Sequence, residues 1–296
     1  MSDRLPPLQM FRYFEAAARL GSFKAAAGEL HVTQGAVSQQ IRSLEDFIGQ
    51  PLFERLTRRV RLTEAGERLN EAANLAMREL SRAVREVRVS GRNPTVNVEV
   101  GPFVSARWLV PRLSTFQASH PKVDVVLHHS TGGRLPGREI DLGLLWGDGS
   151  WKAQEVRLVF EVKLQPLCMP KALEHIRASG GIAGNHGLPF LHARDRLDWE
   201  QWFSQAGLNP ELAQNGPVFD EPNVIFEAAV GGQGIAMGYF PFSTADIRRG
   251  RLAVADPVAA SSLRNYYLVL NTVDVLRIPS VRQLHDWIIS ESEISR

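Results

Sequence analysis

The sequence predicts an α/β fold preceded by a small all-α module that carries a wing of two short strands. Three observations predict it. Between residues 8 and 48 apolar side chains recur at helical spacing in three short runs. Residues 63–87 then step through apolar positions by fours and threes, the rhythm of one long helix. From Thr95 onward strand-like and helix-like runs alternate to the end of the chain. A hydrophobic fraction of 44% and a charged fraction of 22% allow a sizeable core, and 296 residues allow two or three domains.

The first helix spans 8–20, with Leu8, Phe11, Phe14, Ala17 and Ala18 inward, and Gly21 stops it. Ser22 caps a second helix whose inward face is Phe23, Ala26, Ala27 and Leu30. A turn at His31-Val32 follows, and Thr33 stands where the hydroxyl of an N-cap belongs. The third helix turns Val37, Ile41 and Leu44 inward and runs to Gly49. Its other face carries Gln34, Ser38 and Arg42 in a row, with Gly35 and Gln39 beside it. Short amides and a guanidinium, with room between them, suit base edges in a major groove. The same spacing also fits an ordinary surface helix in a bundle, and spacing alone does not choose.

Phe53, Val60 and Leu62 face inward on two short strands, and Arg55, Arg58, Arg59 and Arg61 crowd the turn. A basic turn beside such a helix fits a wing along a phosphate backbone; a solvated basic turn is the alternative. Residues 1–93 hold 15 Lys and Arg against 11 Asp and Glu, and the remainder holds 19 against 21. Cations gathered at the end with the helix pair fit phosphate contact. Thr63 caps the long helix, where Leu69, Ala73, Ala76, Leu80, Ala83 and Val87 form a heptad seam. Such a seam packs on the chain's second half or on a copy of itself; a lone, narrow seam favours the homodimer.

Strands are expected at 95–100, 123–129, 140–145, 162–169, 190–193 and 264–270, in largely parallel sheets. Helices are expected around Trp108 to Phe116, at 173–178, through Trp199 and Trp202, at 224–230 and at 280–290. Ligands in such sheets bind at the C-terminal ends of strands. That rule selects Pro102, Phe103, Ser105, Ser130, Thr131, Trp146, His192, Asn223 and Tyr239. Phe103 and Tyr239 would make the pocket partly apolar, as a small organic ligand requires. Ser130-Thr131 and the turn at 102–105 would grip an anionic end, since a helix N-terminus offers free N–H groups.

No catalytic set is spaced for chemistry, so the chain reads as a non-enzyme without a cofactor. His128 and His129 alternate across a strand and cannot share a metal, and Cys168 is alone. The start of the sequence lacks a signal-peptide pattern, and no run of about 18 apolar residues exists. Together these predict a cytoplasmic protein with no membrane partner.

Several stretches resemble the LysR-type transcriptional regulators. They are Ser22-Phe23, Ala26-Ala27, Val32-Thr33-Gln34, Ala36-Val37-Ser38, Leu52-Phe53-Glu54-Arg55 and Leu62-Thr63-Glu64-Ala65-Gly66. The second half, with Trp108-Leu109-Val110-Pro111, Trp146-Gly147-Asp148-Gly149 and Gly231-Gly232-Gln233-Gly234, is similar to the glycine-cleavage activator and β-lactamase regulator subgroup. The resemblance implies a winged helix-turn-helix (1–62), a linker and dimerisation helix (63–93), and an effector domain (94–296) like a periplasmic binding protein. The first lobe would hold 94–164 and 267–296, the second 165–266, with chain crossings near 164–166 and 264–267. It also implies a DNA operator, RNA polymerase as partner, homodimers or homotetramers, and a small-molecule effector between the lobes. A regulator that needs no ligand and a solute-binding protein are the alternatives. Family members often carry Ser or Thr where this chain has Phe103.

Overall fold

The computed structural model describes residues 5–55, 60–88, 93–130, 135 and 140–294. The chain forms two compact units, 1–92 and 93–296.

In the first unit, α1 (Leu8–Leu20) ends at Gly21, whose φ of 58° is the left-handed conformation that glycine adopts without strain. The Ser22 hydroxyl accepts from Ala25 N at the start of α2 (Phe23–Leu30). The Thr33 hydroxyl accepts from Ala36 N at the start of α3 (Gln34–Ile48). Phe14, Ala26, Val37, Ile41 and Leu44 are fully buried between these helices. Leu8 is not part of that core; it is 49% exposed.

Strands β1 (Phe53–Arg55) and β2 (Val60–Leu62) pair antiparallel as the wing requires. Phe53 anchors them, its ring edge-on to Phe14 and Phe23 at 5.4 and 5.3 Å between centroids. The Glu45 carboxylate accepts from Leu52 N and Phe53 N, which ties the base of the wing to α3. Helix α4 (Glu64–Arg88) is capped by the Thr63 hydroxyl, which accepts from Gly66 N at 3.0 Å. A Cβ at Gly66 would collide with the Leu52 carbonyl, so glycine is required for α4 to start this close to the wing. Along α4, Ala73 is buried, whereas Leu80 and Val84 are 45% and 51% exposed.

The second unit has two lobes. It runs β3 (Thr95–Val100), α5 (Pro102–Val104), a π-helical turn (Ser105–Leu109), α6 (Val110–Ser119), β4 (Asp124–His129), β5 (Leu142–Gly147) and β6 (Glu155–Phe160). It continues with β7 (Lys163–Cys168), α7 (Leu173–Ala178), β8 (Phe190–Ala193), α8 (Leu197–Gln205), β9 (Val218–Phe219), α9 (Pro222–Val230), β10 (Ile235–Phe240) and α10 (Thr244–Arg248). It closes with β11 (Ala253–Val254), β12 (Ala260–Ser261), β13 (Asn265–Leu270) and α11 (Pro279–Ile294).

Lobe I holds the sheet β4-β3-β5-β13-β6, and lobe II holds β11-β7-β10-β8-β9 with β12 beside β7. The sheets are mixed, not largely parallel. Strands β3, β4 and β5 are parallel, as are β10, β8 and β9, but β13 and β7 run against their neighbours. The reason is connectivity. A strand that enters a lobe straight from the other one starts at the lobe boundary, where the parallel strands end.

The crossings lie at Glu161-Val162 and at 262–264, a few residues before the expected 164–166 and 264–267, because β7 already begins at Lys163 and β13 at Asn265. The two crossing segments bond to each other: Val162 N donates to Asn265 Oδ1 at 2.8 Å, and Ser262 N to Val162 O at 3.0 Å.

Candidate functional site

The exposed face of α3 is the first candidate. Thr33, Gln34, Gly35, Gln39 and Arg42 are exposed and Ser38 is half-buried, while Val37, Ile41 and Leu44 hold the helix from behind. Gly35 leaves the first turn without a side chain, so a surface can approach the backbone there. Arg61 on β2 is exposed. Arg58, Arg59 and the side chain of Arg55 lie outside the described residues.

The second candidate is a cleft of about 920 Å³ between the lobes. Strands β3, β4 and β5 deliver Gly101, Ser130 and Trp146 to it from lobe I, and β8 and β10 deliver Ala193 and Tyr239 from lobe II. Every one of these sits at or just past the C-terminal end of its strand.

Aromatic rings build the inner wall. Trp146 packs on Tyr266 at 4.8 Å and edge-on to Tyr239 at 6.0 Å. Phe103, 4% exposed, reaches from lobe I into the aromatic cluster of lobe II and touches the rings of Phe226, Tyr239 and Phe242.

Polar groups fix that wall. The Tyr239 hydroxyl donates to Asp198 Oδ2 at 2.7 Å, and Arg264 Nη2 donates to Asp198 Oδ1 at 2.8 Å. Arg264 also pairs with Asp195 and lies 5.5 Å from the Trp146 centroid. Burial, joined by the adjacent Asp198 charge, pushes the Tyr239 hydroxyl well above the ordinary phenol range. Burial works against charge on Arg264, but the Asp198 and Asp195 carboxylates outweigh it and raise its pKa. Tyr239 is therefore a fixed hydrogen-bond donor and Arg264 a fixed cation.

Beneath the cleft, Arg107 of the π-helical turn crosses to lobe II. It pairs with Asp246, donates to Asn223 Oδ1 at 3.2 Å, and stacks over the Phe226 ring at 4.2 Å. No group of three or more His, Cys, Asp or Glu among the described residues is arranged to hold a metal.

Residues 8–67 match the family of bacterial regulatory helix-turn-helix proteins of the lysR type. Residues 90–293 match the LysR substrate binding domain. The chain is a LysR-type transcriptional regulator.

Among its relatives, the glycine cleavage system transcriptional activator of Escherichia coli (strain K12) is 34% identical over 299 residues, 99% of this chain and 96% of that protein. The regulator TrpI of Pseudomonas aeruginosa is 37% identical over 259 residues, covering 86% of this chain and 87% of that one. Among solved structures, ArgP from Mycobacterium tuberculosis has the same fold, with a TM-score of 0.61 at 21% identity and 98% of each chain covered. Both relatives are transcriptional regulators.

Within this LysR-type chain, five of the residues selected from sequence line the cleft: Pro102, Phe103, Ser130, Trp146 and Tyr239. Three do not. Ser105 is 2% exposed, and its hydroxyl meets His129 Nε2 at 3.1 Å, because the π-helical turn points it toward β4. His192 is fully buried on the face of β8 turned from the cleft, with Nε2 at 3.3 Å from Asn215 O. Asn223 is occupied by Glu221 and Arg107. Thr131 lies outside the described residues.

Sequence reasoning missed the charged rim, above all Asp148, Asp195, Asp198, Glu221 and Arg264. The strand-end rule held the signal for two of them, since Asp148 directly follows β5 and Glu221 shortly follows β9.

Proposed function

We propose that this regulator reads a dyad-symmetric operator with α3 and answers to a small molecule in the interlobe cleft. Gln34, Gly35, Ser38, Gln39 and Arg42 would face base edges, with Thr33 and Arg61 on the phosphates. Arg55, Arg58 and Arg59 would extend the same backbone contact. The exposed Leu80 and Val84 of α4 support pairing with a second copy, and homotetramers would follow from a further contact. The site of action is the cytoplasm, with RNA polymerase as the downstream partner. Among the described residues no helix is long and apolar enough to cross a membrane.

The observation that carries this reading is the pairing, in one chain, of a capped helix with an exposed amide face and a roughly 920 Å³ cleft at strand ends. Ligand binding would favour one lobe angle over another and so shift the population of operator-competent oligomers.

The test is selection of duplexes from a random pool by the full chain, then fluorescence anisotropy with and without a low-molecular-weight cell extract. The reading expects one enriched dyad-symmetric sequence and an extract-dependent change in affinity. No enrichment would remove the DNA role of α3, and enrichment without any extract effect would remove the effector role of the cleft.

A further inference from the structure

The charge around the cleft is lopsided. Among the described lining residues, Asp148, Asp195, Asp198, Asp220 and Glu221 face only Arg194 and Arg264. Both guanidiniums are already committed. Arg264 holds Asp195 and Asp198, and Arg194 holds Asp220 at 2.7 Å. Asp148 and Glu221 have no cationic partner among the described residues; Asp148 accepts from Ser150, and Glu221 from Asn223 Nδ2 at 2.9 Å.

The two helix starts at the cleft do not favour an anion. The first opens with Pro102, which has no N–H, and Phe103 fills the space beyond it. The second, α9, has Glu221 at its N-cap and Pro222, which has no N–H, after it; the Glu221 carboxylate makes no cap hydrogen bond but puts a negative charge beside the positive end of the helix. The remaining wall is aromatic, with Trp146, Trp151 and Tyr266. Aromatic faces attract cations.

We propose that the cleft takes its ligand by a cationic amine, with Asp148 of lobe I and Glu221 of lobe II as counter-charges and the aromatic wall around it. This rests on the cleft being the effector site. It also supplies a reason for closure. Asp148 and the lobe II carboxylates repel each other as the lobes approach, and a bound cation turns that repulsion into attraction to both sides.

The experiment uses the full chain and three probes of one shape: benzylamine, benzyl alcohol and benzoate. Thermal shift and calorimetric titration are followed for wild type, Glu221→Gln and Asp148→Asn. Benzylamine is expected to raise the melting temperature in a dose-dependent way, with benzyl alcohol weaker and benzoate inert. Each substitution should weaken benzylamine about tenfold, the loss of one charge-assisted contact, while the ligand-free melting temperature stays near wild type. Benzoate binding as well as benzylamine, no response to benzylamine at all, or unaltered affinity in both variants would each overturn the proposal. Failure here with an active extract leaves the effector role standing. An inactive extract with benzylamine bound removes that role and leaves the charge preference.

Discussion

Arg107 and Asp246 form a buried ion pair that joins the two lobes, with side-chain exposures of 12% and 4%. Their partners are unequal. Asp246 also pairs with Arg251 at 3.2 Å, whereas Arg107 has Asp246 as its only carboxylate among the described residues. Asp246→Ala is therefore expected to cost about 3–5 kcal/mol, because it strands a buried guanidinium. Arg107→Met should cost clearly less, since Arg251 remains on the carboxylate. Urea unfolding of both variants decides the matter; equal costs would show that the pair itself, and not the stranded charge, sets the loss.

On the DNA side, Gln39 and Arg61 are expected to fail differently. Gln39→Ala should lower discrimination between operator and scrambled duplex by about 1–3 kcal/mol. Arg61→Ala should weaken both duplexes alike and reduce the salt slope by about one. Anisotropy titrations across salt concentrations distinguish them. A Gln39 variant with unaltered discrimination would move the reading face elsewhere on α3.

Leu80 tests the seam. Leu80→Asp places a carboxylate where a second copy would bury it, so the dimer should dissociate and operator affinity should drop through lost avidity. Light scattering that returned the wild-type mass, with operator affinity unaltered, would count against α4 as the pairing helix.

His192 is expected to make stability pH-dependent. Burial holds its pKa below the ordinary 6.5, with Arg196 adding to that and the Asn215 bond opposing it. Its Nδ1 has no hydrogen-bond partner among the described residues. The neutral ring therefore contributes stability that is full above about 6.5 and is lost as pH falls through the lowered folded value. His192→Gln should flatten the fall in urea midpoint between pH 7.5 and pH 5. A slope equal to wild type would assign that fall to other groups.

The N-terminal module was legible because its signals are local. Ser22, Thr33, Gly21 and Gly49 act on the turn beside them, and each occupies the cap position its chemistry implies. The effector unit was less legible because its decisive relations are distant in sequence. Strand β6 went unread, although Val156, Leu158 and Phe160 alternate, because its partner β13 lies about a hundred residues on. The charged rim was hidden for a related reason. Asp198 on α8 looks like an ordinary first-turn acid until Tyr239 and Arg264 are brought to it. His192 shows the opposite error, since a strand-end position does not say to which face the side chain turns.

The bond between Val162 and Asn265, with that from Ser262 back to Val162, makes the two crossings one ribbon and not two separate tethers. Neither segment can slide past the other where they cross without breaking those bonds. A change in lobe angle therefore falls on both crossings at once, and on the Arg107–Asp246 pair and the Phe103 contacts that also join the lobes. Neither crossing is an independent hinge, so a substitution in one would be felt in the other.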